Sequence, residues 1–86
     1  MWKIEYSKEV RNYLYDSYPY TESIWQMLKT LRTTPDGLPP AQYDIAETQP
    51  VIVTWQALDH FIMYERHLER RILYFFIVKP LGEEWL

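Results

Sequence analysis

The sequence predicts a single α+β domain: a short N-terminal strand, an αα-hairpin and a three-stranded antiparallel meander, with the helices covering one face of the sheet. Three observations predict it. The stretch from Pro50 to Lys79, PVIVTWQALDHFIMYERHLERRILYFFIVK, reads as three strands in succession. Upstream of it, apolar residues recur at helical spacing in two short segments. The whole chain has 86 residues, enough for one core and no second.

The first strand of the meander alternates Val51, Val53 and Trp55 with Ile52, Thr54 and Gln56, so two faces separate at period two. The second, from His60 to Arg66, sets Phe61 and Met63 against Ile62 and Tyr64. The third, from Arg71 to Val78, is apolar at nearly every position, which predicts a central strand buried on both faces. The gaps Leu58-Asp59 and His67 to Arg70 suit hairpin loops, hence the antiparallel order.

Ahead of the meander, Trp2, Ile4 and Tyr6 alternate with Lys3 and Glu5 in a short half-buried strand. Ser7 is placed to cap a helix, with Glu9 in its first turn where the helix dipole favours negative charge. Val10, Tyr13, Leu14 and Tyr18 form its stripe, and Pro19 stops it. Thr21 and Glu22 open a second helix, whose stripe is Ile24, Met27, Leu28 and Leu31, widened by Trp25. Then comes the least regular segment, TTPDGLPPAQYDIAETQP. It holds a turn at Pro35-Asp36-Gly37, an extended Pro39-Pro40, and a brief pairing candidate from Tyr43 to Ala46. A connection this long is a candidate binding loop, or a loop laid over a sheet edge. The tail PLGEEWL ends in Trp85 and Leu86, apolar residues suited to docking back or meeting another chain.

Composition narrows the function. A domain this size buries roughly 60–65% of its unfolded surface. Aromatics make up 17% of the chain, more than such a core can hide, so several Tyr or Trp belong at the surface, where they favour interfaces. A formal charge of −3 weighs against nucleic acid as the main ligand, because phosphate neutralisation carries most of that affinity. With no cysteine, a disulfide frame or thiolate zinc site is ruled out, and two glycines leave no Gly-rich phosphate loop. No metal or cofactor is called for. No signal peptide is visible, and the longest apolar run, Ile72 to Val78, is far short of the ~20 residues a membrane span needs. The expected setting is cytoplasmic, with no membrane partner.

The order of elements, and the local wording WKIEYSKEVRNYL, DHFIMYE and RRILYFFIV, resemble RelE/ParE-type toxins of bacterial type II toxin–antitoxin pairs. The resemblance covers almost the whole chain. It implies a protein that inhibits growth, by mRNA cleavage or at another intracellular target, and is neutralised by a small antitoxin whose flexible segment folds on it. Ribosome or mRNA would be the target of a cleaving member, which would be a metal-independent RNA endonuclease; a homodimer is left open. The pattern departs at two points. Phe61 stands where cleaving members carry arginine, and Lys79-Pro80 follows the last strand in place of a His-Arg or Lys-Arg pair. Loss of one phosphate-clamping donor costs a barrier ~2–4 kcal/mol. The catalytic candidates that remain are His60, Arg66, Arg71 and Lys79. His60 is as readily a strand-end residue, and the arginine-rich hairpin tip is as readily a solvated edge guard. The other class of function is a non-catalytic interaction module that kept the fold and lost the active site.

Overall fold

A computed structural model describes residues 1–40 and 42–82. The protein is α+β, with two helices and a five-stranded mixed sheet of order β1-β5-β4-β3-β2. The strands are β1 (Lys3–Tyr6), β2 (Tyr43–Ala46), β3 (Val51–Ala57), β4 (His60–His67) and β5 (Ile72–Pro80). The helices are α1 (Lys8–Asp16) and α2 (Glu22–Thr30), and a 3-10 turn, Leu31–Thr33, extends α2. The tail residues Trp85 and Leu86 lie outside the described residues.

The meander differs from expectation in two ways. It has four antiparallel strands, because Tyr43–Ala46 pairs fully with β3 from Tyr43↔Trp55 to Ala46↔Ile52. β1 then joins the other side in parallel with β5, from Lys3↔Ile72 to Tyr6↔Phe75. The middle strand is therefore β4, and β5 is its neighbour. Nor is β5 buried on both faces: Leu73, Phe75 and Val78 are buried, while Ile72, Tyr74, Phe76 and Ile77 stay partly exposed. Its unbroken apolar run has a local cause. The register slips between Met63↔Ile77 and Tyr64↔Phe75, leaving Phe76 as an extra residue, so the inward positions change parity within the strand.

One core joins Val53, Trp55, Ile62, Tyr64, Leu73, Phe75 and Val78 of the sheet to Val10, Leu14, Ile24, Leu28 and Leu31 of the helical segment. The register makes these strand residues neighbours on a single sheet face: Val53, Tyr64 and Phe75 lie in one row and Trp55, Ile62 and Val78 in the next. Burying a side chain of this size stabilises by about 1.5–3 kcal/mol.

The helix caps divide. Ser7 Oγ accepts from the Val10 amide at 3.1 Å, as its position before α1 predicts. Thr21 stands at the N-cap of α2, but its hydroxyl makes no cap; it donates to the Leu14 carbonyl at 2.6 Å and ties the two helices together inside the core. Tyr18, expected in the buried stripe, lies past the end of α1 and is exposed.

The long connection is pinned to the sheet. Gly37 takes φ +70°, and a Cβ built there would stand 2.9 Å from Trp2. Its carbonyl accepts from the Tyr64 hydroxyl at 2.7 Å, and Leu38 N–H donates to Asp36 Oδ1 at 3.2 Å. The β3–β4 turn is made by Leu58 and Asp59, both at positive φ (51° and 59°) with no glycine. Hairpins of two residues favour that geometry, and Asn-Gly fits it best. The double change Leu58→Asn, Asp59→Gly is expected to raise unfolding stability by about 1 kcal/mol, since a left-handed residue with a Cβ costs ~1–2 kcal/mol. Urea denaturation checks this, and an unchanged midpoint would mean the turn stores no strain.

Candidate functional site

The four residues singled out from sequence do not gather at one place: Arg66 and Arg71 share the Trp2 ring, while His60 and Lys79 stand toward the other end of the sheet. His60 opens β4 and Arg66 lies six residues along it, which at a strand's rise of ~3.3 Å per residue puts them about 20 Å apart. Arg71 sits at the far hairpin, just before β5. Lys79 pairs with Phe61 in register, so it stands on the face opposite Ile62 and Val78 and is exposed.

His60 is 3% exposed. Its Nδ1 is 2.8 Å from the Leu58 carbonyl, which can only accept, so Nδ1 carries the proton. Its Nε2 is 2.7 Å from the Tyr13 hydroxyl. Both ring nitrogens thus have partners within the fold, and the rings of Tyr13 and Tyr20 pack beside it at 5.7 and 6.0 Å. An acid or base needs a nitrogen turned toward a substrate; here both serve the fold.

The arginines are likewise occupied. The Arg71 guanidinium lies 4.2 Å from the centre of the Trp2 ring and that of Arg66 at 5.4 Å. Arg66 Nε also donates to the Asp36 carbonyl, and Arg71 holds φ +57° in the connection to β5. Together they cover Trp2, whose ring is 1% exposed and whose indole N–H is buried with no partner. Such an unmet donor costs about 1–3 kcal/mol, while a cation over the ring face is attracted by about 0.5–1 kcal/mol or more. Nearby, His67 Nε2 contacts Glu65 Oε1 at 2.8 Å, and a groove of about 380 Å³ runs past Pro50, Arg66, His67, Glu69 and Arg70. Among the described residues no three His, Asp or Glu gather in a way that could hold a metal ion, and no helix is long and apolar enough to cross a membrane.

Sequence reasoning passed over the cover on Trp2, and it weighed Tyr13, Tyr15, Tyr18 and Tyr20 around Pro19 only as core, interface or stacking residues. Trp2 is legible as an inward strand residue, but its role as the ring under Arg66 and Arg71 depends on residues more than sixty positions away. The corner between the helices exposes Tyr15, Tyr18 and Tyr20 at 63, 55 and 65%. Tyr15 meets Trp25 edge-on at 5.1 Å, and the Tyr18 hydroxyl donates to Glu22. Their spacing beside Pro19 flags them, while their exposure follows from α1 ending at Asp16.

Compared with known proteins, the chain matches no family model, no curated protein and no solved structure.

Tyr64 beside this cluster supplies a pH test. Burial raises its phenol well above the ordinary value of 10.0, against a smaller lowering by Arg66. The folded chain then holds this proton where the unfolded chain releases it, so stability falls as pH climbs past about 10. Denaturant midpoints between pH 8 and 11 check this. Tyr64→Phe is expected to flatten the decline while lowering stability near neutrality by about 1 kcal/mol through loss of the Gly37 bond. An equal decline in the variant would assign it to other groups.

Proposed function

We propose that this chain is the toxin component of a RelE/ParE-like pair, with both helices on one face of its sheet, and that it inhibits growth by holding a protein target. Its neutralising partner would be a small antitoxin. The succession of strand, αα-hairpin and antiparallel meander supports the class.

One observation carries the choice of binding over cutting: His60, the best acid–base candidate, is buried with both nitrogens engaged, about 20 Å along the strand from Arg66. RNA cleavage needs proton transfer and charge stabilisation at one phosphate, which groups so far apart do not supply. The exposed tyrosines of the helix corner offer instead the large rigid rings that protein interfaces favour. A second reading, an interaction module with no toxicity, is favoured by Phe61 and Pro80 at the positions where cleaving members carry polar residues.

Induced expression in bacteria tests both. Growth arrest is expected to survive His60→Ala with Arg71→Ala, provided circular dichroism shows the variant folded, and to be relieved by Tyr15→Ser with Tyr20→Ser. Arrest relieved by the first pair alone would favour cutting. Soluble, folded wild type that leaves growth untouched would favour the module.

A further inference from the structure

β1 is an edge strand, and the ladder fixes which of its main-chain groups are free. Lys3 N–H donates to the Arg71 carbonyl at 2.8 Å and Ser7 N–H to that of Phe75 at 2.9 Å. In a parallel strand alternate residues face one neighbour, so Lys3, Glu5 and Ser7 face β5 while Ile4 and Tyr6 turn their N–H and C=O outward. Trp2 agrees with this phase: its N–H points the other way and donates to the Arg32 carbonyl at 2.9 Å, closing the start of the edge. Among the described residues nothing pairs with the outward groups of Ile4 and Tyr6.

Beside this edge lies a groove of about 550 Å³ between β1 and α2. Ile4, Tyr6 and Trp25 form its apolar lining, with the Trp25 indole donating to the Tyr6 hydroxyl at 3.2 Å. Lys3, Lys29 and Arg32 also line it, and no carboxylate does. Lys29 Nζ sits 5.3 Å from the centre of the Trp25 ring and Arg32 contacts the Met1 sulfur, and among the described residues neither is in an ion pair. Glu5 contacts Lys3 at 3.5 Å with side chains 42 and 72% exposed, and a surface pair of this kind is easily exchanged. A chain of net charge −3 thus places three of its nine cations around one free strand edge.

We propose that this groove receives an extended, acidic segment of a partner protein, which adds to the sheet as a sixth strand along β1. Main-chain bonds to Ile4 and Tyr6 would supply the register, an apolar side chain would lie against Trp25, and carboxylates would meet Lys29 and Arg32. A second copy pairing edge to edge is disfavoured by charge, since it would bring both sets of cations together. The groove adjoins the tyrosine corner through Trp25, whose ring meets that of Tyr15 at 5.1 Å, and the proposal stands whether or not the chain arrests growth.

Fluorescence anisotropy with a labelled synthetic peptide alternating glutamate with valine tests it, against the same peptide with lysine for glutamate. The acidic peptide is expected to bind the full chain, more weakly as salt rises, while the lysine peptide does not. Lys29→Glu with Arg32→Glu, both exposed, is expected to weaken binding by about tenfold or more. The amide NMR signals of Ile4 and Tyr6 should shift on binding. Ile4→Pro removes an outward donor without touching the ladder to β5 and should also abolish binding; if it unfolds, the charge-reversal pair decides. Absence of binding, binding indifferent to charge reversal, or shifts confined to other residues would overturn the proposal. So would concentration-dependent dimerisation of the free chain relieved by Ile4→Pro.

Discussion

Tyr64 is the point on which the structure turns. It lies on the middle strand with no exposure, its ring 4.6 Å from that of Phe75, and its hydroxyl reaches across to the Gly37 carbonyl. The ring fills the centre of a core made from one sheet face, and the hydroxyl fastens a loop that has no regular structure to hold it. That loop in turn brings Gly37 against Trp2 and Leu73, where any side chain would collide, and so completes the cover over the start of β1. A phenol meets both demands, since it buries a large apolar body and carries a polar tip.

Two kinds of residue therefore do structural duty where their chemistry suggested a reactive one. His60 closes the β3–β4 end of the sheet by joining the turn carbonyl of Leu58 to Tyr13 on α1. Arg66 and Arg71 close the other end by stacking on Trp2. An imidazole with two partners and a guanidinium over a ring are low-cost ways to bury or cover polar groups in a domain too small to exclude water from everywhere. The surfaces proposed for partners lie elsewhere, on the tyrosine corner and along the β1 edge.

Much of the fold was legible because hydrophobic period is local. The alternation at Val51–Ala57, the turn at Leu58-Asp59 and the stripe Ile24, Leu28 and Leu31 all follow from spacing alone. What was not legible depends on pairing. Tyr43–Ala46 becomes a strand only because β3 offers it an edge, and a four-residue run carries too few positions to declare that. The apolar run in β5 imitated a strand buried on both faces because an inserted Phe76 shifts the pleat, which no single-strand pattern reveals. For the site, sequence could nominate His60 and the arginines by type, but their partners Tyr13 and Trp2 lie far away along the chain, so their engagement in the fold is not read from local pattern.

The most direct test of binding without cleavage is incubation of the purified protein with messenger RNA on programmed ribosomes, in the presence of a metal chelator, followed by mapping of RNA ends. Intact message at protein concentrations that arrest growth is the predicted result, in keeping with a buried, doubly bonded His60. New ends that appear with the wild type and vanish with a folded His60→Ala variant would contradict it, and would mean that the imidazole leaves Tyr13 and Leu58 to reach a phosphate.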